Sequence, residues 1–190
     1  MTIFTLLRVL VKKGIILKVV VFDEIDTNTY NLGFGDYNFE NEIIDDKVNS
    51  KNGDMEKIMA TLVAIINDFS VKNKNCQIFL SGSDSIRTRF YQMAILKFYD
   101  EFSAAYEIKG TIDGFSESFQ KNKKYESFLI RKMFIKNVKE MKTQTQKLEM
   151  PKINIIPDDG TYDFLKGKNF FAEKTARAKE AFKKIKMNSL

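Results

Sequence analysis

The chain has 190 residues and a formal net charge of +6, and it contains no histidine, no tryptophan and a single cysteine, Cys76. This length suits one domain of ordinary size with its own hydrophobic core. The lack of histidine excludes an imidazole base, a Ser-His or Cys-His nucleophile and histidine metal ligands. A lone cysteine forms no internal disulfide, so we interpret Cys76 as a small core residue of a protein in a reducing cytoplasm.

The apolar N-terminal stretch, residues 1–22, does not read as an export or membrane signal. Arg8, Lys12 and Lys13 interrupt it, and it lacks the cationic start and the cleavage site of a signal peptide. No uninterrupted apolar run approaches the roughly 18 residues of a membrane span. We therefore expect a cytoplasmic protein that does not partner with a membrane.

Three β-rich runs open the chain, and a possible short strand follows them. The three runs are residues 2–11, 15–22 and 30–36, and the possible short strand is residues 43–48. The clearest helix begins at Met55, because apolar residues recur at steps of three and four as far as Phe69. Four further elements are predicted: a strand at 76–80, a helix at 84–102, a strand at 105–112 and a closing helix at 125–134.

This order predicts an α+β fold with a mixed sheet. Three antiparallel strands come first, followed by helix, strand, helix, strand and helix. Because crossover connections join parallel strands, we expect the strands at 76–80 and 105–112 each to run parallel to a neighbour. The layout resembles that of ribonuclease H-like proteins in topology only, since the carboxylates that a two-metal nuclease needs on its first and fourth strands are absent.

The composition changes after residue 137, and we place the main domain at residues 1–140. Residues 141–190 form a linker and a basic helical tail, which offers Phe171, Ala178, Phe182 and Ile185 for one face. The basic segment from Lys166 to Lys186 is suited to dock on a protein partner, on nucleic acid or on the acidic loops of the body. The alternative is a partly ordered, solubilising end, and we expect the body to fold without it.

The stretch from Cys76 to Arg89 contains the strongest hint of a site. A strand, the polar turn Ser81–Asp84 and a helix N-terminus expose backbone N–H groups that can receive an anion. Arg87 and Arg89 oppose the helix dipole, so a bound anion or a nearby carboxylate is expected to compensate them. Since residues two apart on a helix point to opposite sides, only one guanidinium is expected to face a phosphate held with Gly82 and Ser83. In the alternative interpretation Ser83 or Ser85 caps the helix and both arginines pair with carboxylates. The turn lacks the lysine and the spacing of a nucleotide P-loop.

A second group of small and polar residues has the types that line a pocket. Its members are Asn31, Gly35 and Asp36 in one strand and Asn52, Gly53 and Asp54 before the first long helix. The alternative is that the glycines serve turn geometry and that Asp54 caps the helix. Carboxylates in the loops suit Mg²⁺, but acidic loops are usually just solvated, so we expect no metal and no cofactor.

The ordered motifs YNLGFGD (30–36), NGDMEKIMAT (52–61), FLSGSDSIRTRFYQMAI (79–95) and YESFLI (125–130) resemble an uncharacterised family of small bacterial proteins. The resemblance covers roughly residues 14–134 and implies no established activity. Its recurring polar positions correspond to Asn31, Gly35, Asp36, Asn52, Gly53, Asp54, Gly82, Ser83, Arg87, Thr88, Arg89 and Tyr91.

Two functions remain open. The first is a binding or interaction protein with an anion site, for example one component of a toxin–antitoxin or defence module. The second is an enzyme acting on a nucleotide, a nucleic acid or another phosphorylated substrate, with Arg87 or Arg89 stabilising negative charge and Asp36 or Asp54 acting as base. Convergence of these side chains in one pocket favours the enzyme, whereas arginines engaged in structural contacts favour the interaction protein.

Overall fold

The computed structural model describes residues 2–11, 14–45, 55–133, 165, 168 and 170–189. The strands in these ranges are β1 Thr2–Val11, β2 Gly14–Asp26, β3 Thr29–Asn38, β4 Ile43–Asp45, β5 Gln77–Leu80, β6 Tyr106–Ile112, β7 Phe115–Ser118 and β8 Ser127–Lys132. The helices are α1 Met55–Lys72, α2 Ser85–Lys97, α3 Tyr99–Ala105 and α4 Ala172–Met187. The α+β fold class predicted from the sequence is confirmed.

The strands form one mixed sheet in the order β1-β2-β3-β5-β8-β6-β7, with β4 paired to β3. The first three strands are antiparallel, as predicted. β5 runs parallel to β3 over a short register, Thr29–Asn31 against Gln77–Phe79. Beyond that register β3 continues as a strand while the chain leaves β5 toward α2, so the carboxyl ends of the two parallel strands separate at this point.

Hydrophobic residues cover both faces of the sheet. On one face, Phe22, Leu32, Ile78 and Phe128 join a large core with side chains of α1, α2 and α3. Because successive side chains of a strand alternate between faces, Phe79 and Leu129 point the other way, where they pack with Ala178 and Ile185 of α4. The central strands are therefore buried on both sides.

The predicted tail helix is present as α4, and its apolar face lies on the sheet. Phe171, at its N-terminus, packs with Leu17, Val19 and Val21 of β2, and Phe182 contacts the ring of Phe79 in an edge-on arrangement with centroids 6.2 Å apart. Two cations bind acidic residues of the body: Lys186 pairs with Asp26 at 2.6 Å and Lys168 with Glu42 at 2.5 Å. Docking on the protein's own acidic residues is thus the use of the tail that the structure shows. The domain boundary near residue 140 lies outside the described residues and stays a prediction, as does the ribonuclease H-like layout.

The helix predicted at residues 125–134 is wrong. Ser127–Lys132 is instead the strand β8, which pairs antiparallel with both β5 and β6. Phe128, Leu129 and Ile130 are all buried, because the sheet is covered on both faces at this strand. A run of apolar residues with no polar alternation does not distinguish a doubly covered strand from a buried helix, and the wrong element was chosen.

Two further predictions need correction. The helix expected at 84–102 is divided at Phe98, which caps the end of α2 and precedes α3. The strand expected at 105–112, observed as β6, is antiparallel to both of its neighbours rather than parallel, since β8 lies between it and β5. The strand β7 was not predicted, although Asp113 and Gly114 both have positive φ and form the tight turn that joins it to β6.

None of the helices in the described residues combines the length and the apolar character needed to cross a membrane.

The burial of Cys76 leads to a first prediction. Its side chain is 3 % exposed, and burial raises the pKa of its thiol, so both access and thiolate formation are suppressed. We expect no reaction with a thiol-specific reagent in the native state at mildly alkaline pH and full reaction of the single thiol after unfolding in guanidinium. Rapid modification of the native protein would contradict the buried position of Cys76, which immediately precedes β5.

A second prediction tests whether α4 packs against β3 in solution. A Cβ atom added to Gly33 would lie 2.5 Å from the ring of Phe171. We expect Gly33→Ala to lower the free energy of unfolding by about 1–3 kcal/mol, measured with urea, and we expect this penalty to vanish in a Phe171→Ala background.

The matched control is Gly110→Ala, whose added Cβ would lie 2.2 Å from the ring of Tyr125. That clash does not involve α4, so its penalty should be the same with and without Phe171. If the penalty of Gly33→Ala is likewise unchanged by Phe171→Ala, α4 does not cover β3.

Candidate functional site

The turn between β5 and α2 is shaped by close backbone contact. A Cβ atom at Gly82 would lie 2.3 Å from the amide nitrogen of Thr88, so only glycine fits. The Gly82 N–H donates to the hydroxyl of Thr88 at 3.1 Å, and that hydroxyl donates to the carbonyl oxygen of Asp84. The Gly82 N–H and the Thr88 hydroxyl are thus satisfied within the protein rather than presented to a ligand.

The N-terminus of α2 is capped by Asp84. Its carboxylate accepts a hydrogen bond from the Arg87 N–H at 2.8 Å, the position that an exogenous anion would otherwise take. The same negative charge compensates the two arginines in the first turn against the helix dipole. The alternative interpretation of the sequence predicted that a residue near the turn caps the helix, but it assigned the cap to Ser83 or Ser85.

Arg87 and Arg89 do not meet in one hollow. Arg87 is half-buried and engaged in a contact within the protein, whereas Arg89 is exposed and lines a groove on the outer side of α2. This separation follows from their spacing of two residues on a helix.

Three of the predicted site residues lie around the separating ends of β3 and β5, close to a residue that the sequence analysis did not select. Lys174 of α4 is 6 % exposed, and its ammonium group donates to the carbonyl oxygen of Leu32 at 2.9 Å and to the hydroxyl of Tyr91 at 3.3 Å. Asn31 is fully buried, and neither atom of its amide has a hydrogen-bond partner among the described residues. The hydroxyl of Ser83 is also buried and without a partner in that part of the chain.

The spacing of residues in the sequence could have identified Lys174 and its neighbour Thr175 as buried polar residues. Both fall within the apolar face of α4, at three- and four-residue steps from Phe171 and Ala178. Polar residues on a buried face need partners, and the Thr175 hydroxyl donates to the buried carboxylate of Asp23 at 2.7 Å.

The remaining predicted site residues have structural roles or lie outside the described ranges. Gly35 admits β4, because its Cβ would lie 2.5 Å from the side chain of Ile44. Asp36 forms a short ion pair with Lys18, which is 3 % exposed. Asn52, Gly53 and Asp54 lie outside the described residues. Within the described ranges, no group of three or more His, Cys, Asp or Glu side chains is placed to hold a metal ion.

The groove that Arg89 lines runs between α2 and the loop 121–126, and we refer to it as the α2 groove. Its volume is about 890 Å³. The residues that line it are Ser85, Ile86, Thr88, Arg89, Gln92, Met93, Leu96, Lys121, Asn122, Lys123, Lys124, Tyr125 and Glu126. They include four cations and a single carboxylate, so the groove is distinctly basic.

The charge states of the loop residues are fixed by nearby contacts. Lys123 pairs with Glu117 at 2.7 Å, and this hydrogen bond raises the pKa of Lys123 and lowers that of Glu117. Burial raises the pKa of Tyr125, whose hydroxyl donates to the same carboxylate. Lys123 is therefore cationic at neutral pH.

A family model described as a family of unknown function, DUF6934, matches residues 10–133. Since the match spans more than half of the 190 residues, the chain belongs to this family. The matched region includes β2 to β8 and the whole α2 groove, and it ends before α4. No curated protein and no solved structure matches the chain.

The capping geometry gives a third prediction. Asp84→Ala removes the acceptor at the N-terminus of α2 and should lower the free energy of unfolding by about 1 kcal/mol, while Asp84→Ser retains most of it. The control is Ser85→Ala, which should change stability by less than about 0.5 kcal/mol in the same urea titration. A larger loss in the Ser85 variant would return the capping role to that serine.

Proposed function

We propose that this family member is an interaction protein whose α2 groove binds an acidic, amphipathic segment of a protein partner. The observation that carries the proposal is a second apolar face on α2. The inner face packs in the core through Tyr91, Ala94 and Ile95. On the outer face Ile86 is 76 % exposed and Met93 is 42 % exposed.

The outer side of α2 carries a stripe of residues in which Ile86, Arg89 and Met93 are exposed and Leu96 is half-buried. Ile86, Arg89, Met93 and Leu96 follow one another at steps of three, four and three residues, which places them along the same side of the helix. A helix that is apolar on both sides is ordinarily buried on both sides. A partner that covers this stripe would remove Ile86 and Met93 from water.

The charges around the stripe define the chemistry of that partner. Among the described residues, neither Arg89 nor Lys124 has a carboxylate within ion-pair distance. Lys121 has a long, exposed pairing with Asp100 at 3.7 Å, and its ammonium group lies 4.1 Å from the centroid of the Tyr99 ring. Because Arg89 and Lys124 thus remain available beside the apolar stripe, a segment with acidic residues flanking apolar ones is complementary to the groove.

The shape of the groove is held in advance by hydrogen bonds. The Gln92 amide donates to the carbonyl oxygen of Lys123 at 2.7 Å, which ties the loop to α2. The Tyr125 hydroxyl accepts from the Gln120 N–H at 3.0 Å, and the Glu126 N–H donates to the carbonyl oxygen of Thr111 at 2.9 Å. A groove that is already ordered loses little conformational entropy when a partner binds.

The apolar lining favours a peptide over a single-stranded nucleic acid. Sequence-tolerant nucleic-acid sites present aromatic rings on which bases stack. The apolar side chains exposed here are those of Ile86 and Met93, whereas Tyr125 is 6 % exposed. Aliphatic side chains at helical spacing instead suit the apolar face of a partner helix.

The same placement of residues leads us to prefer the interaction protein over the enzyme. Arg87 is engaged within the protein, Arg89 lies in the groove, and Asp36 pairs with Lys18. A dedicated partner of the kind found in a two-component bacterial module, such as a toxin–antitoxin or defence pair, is the setting that we propose for the groove.

The fourth prediction tests this function by selection from a random-peptide display library on the full chain. We expect enriched peptides to combine acidic and apolar residues at helical spacing. Binding of the best peptide, followed by fluorescence anisotropy, should weaken at least about tenfold for Arg89→Glu and for Ile86→Asp. It should also weaken with added salt, since exposed charges are screened.

Matched controls are Lys179→Glu, a reversal of charge at an exposed site on α4, and Val71→Asp, a polar substitution of a half-exposed apolar residue on α1. Both should leave the affinity within about twofold. Peptides without acidic residues, or equal losses in the control variants, would overturn the proposal. Binding of a single-stranded oligonucleotide that depends on Arg89 while no acidic peptide is selected would replace it with a nucleic-acid function.

A further inference from the structure

A second cavity lies on the opposite side of the sheet, between α4 and the ends of β5, β6 and β8, and we refer to it as the α4 cavity. Its volume is about 490 Å³, within the range of small-molecule sites. The residues that line it are Phe79, Ser81, Thr111, Asp113, Gly114, Glu126, Ser127, Arg177, Glu180, Ala181, Lys184 and Ile185. Phe79 and Ser81 place it at the carboxyl end of β5, and the carboxyl ends of strands are a common position for ligands in sheets with parallel strands.

Two buried hydroxyl groups belong to the lining of the cavity. Thr111 and Ser127 are 2 % and 4 % exposed, and their hydroxyls form a short hydrogen bond with each other. The Thr111 hydroxyl also donates to the carbonyl oxygen of Ser127 at 3.3 Å. With Ser127 donating to Thr111, both protons are used within the pair and lone pairs remain. The pair therefore offers acceptors, which suit a donor such as an ammonium group.

Carboxylates on the same wall strengthen this preference. Asp113 and Glu126 flank the turn at Gly114, and Glu126 uses Oε2 to accept the Asp113 N–H at 3.1 Å, which leaves Oε1 available. A carboxylate at this position suits a donor that carries positive charge, such as an organic ammonium group.

The opposite wall is formed by α4 and carries the cations Arg177 and Lys184 together with the carboxylate of Glu180. Arg177 uses one of its N–H groups to donate to the carbonyl oxygen of Ser83 at 3.2 Å, and a guanidinium has further donors in the same plane. Lys184 lines the cavity beside it. An arginine held in this way is suited to bind a carboxylate with two parallel hydrogen bonds.

Apolar side chains complete the lining of the cavity. Phe79 and Ile185 line it and are both buried, and Ala181 lines it and is half-buried.

We infer that the α4 cavity binds a small zwitterion, with an ammonium group held by Asp113, Glu126 and the Thr111–Ser127 pair and a carboxylate held by Arg177. Free amino acids and short peptides are the chemical class that carries both groups. An apolar side chain on such a ligand would contact Ala181, which lines the cavity and is half-buried. Since α4 and the sheet each contribute part of the site, the bound ligand would also stabilise the docking of α4.

The test is a thermal-shift and calorimetric screen of the full-length protein against the standard amino acids and a set of dipeptides. We expect a saturable rise in melting temperature with at least one of these compounds below about 10 mM. The N-acetylated form lacks the ammonium group and the C-terminal amide form lacks the carboxylate, so each should bind at least about tenfold more weakly.

Variants then assign the groups. Arg177→Met and Asp113→Asn should each weaken binding about tenfold, and asparagine retains the positive φ of the turn at residue 113. Lys179→Met and Glu173→Gln change exposed charges on α4 that do not line the cavity, and they should leave binding unchanged. Glu126 lines both the α4 cavity and the α2 groove, so it is kept unchanged and the two sites are tested separately.

The inference is overturned if no compound in the screen binds below that concentration, if the capped forms bind as well as the free ones, or if the Arg177 and Asp113 variants behave like the controls.

Discussion

The central strands of the sheet carry apolar side chains on both faces, and this constraint decides how the rest of the chain is arranged. In β5, Ile78 and Leu80 point to the face covered by α1 to α3, while Phe79 points to the face covered by α4. Burying a large apolar side chain contributes roughly 1.5–3 kcal/mol. A sheet with Phe79 and Leu129 left in water would lose several such contributions, so α4 is part of the core rather than an appendage.

Because the helix that covers the sheet is basic, the polar side chains on its buried face need hydrogen-bond partners, and nearby groups of the sheet provide them. Lys174 and Thr175 lie on the buried face of α4, where a cation and a hydroxyl without partners would be costly. The carbonyl oxygen of Leu32 and the carboxylate of Asp23 accept from them. These contacts connect the tail helix to β3 and β2, and through the Tyr91 hydroxyl to α2.

The helices that sequence reasoning predicted correctly, α1 and α4, each have one buried face. The three- and four-residue steps of α1 and of the tail helix give their exposed and buried sides directly. The run Phe128–Ile130 has no polar side, and this is why β8 was mistaken for a helix. The glycine turn at residue 82 was located correctly, because turn residues act locally. Spacing places Lys174 and Thr175 on the buried face of α4, but the groups that accept from them, and the side chain that caps α2, depend on tertiary packing.

Because α4 and the sheet belong to the same polypeptide, their association is intramolecular. A tethered element competes at an effective concentration that commonly reaches the millimolar range. An external helix with a similar affinity for this face would displace α4 only if its concentration approached that effective concentration. The face that carries Phe79 and Leu129 is therefore insulated from casual contacts in a crowded cell, whereas the outer side of α2 carries no such built-in competitor in the described residues.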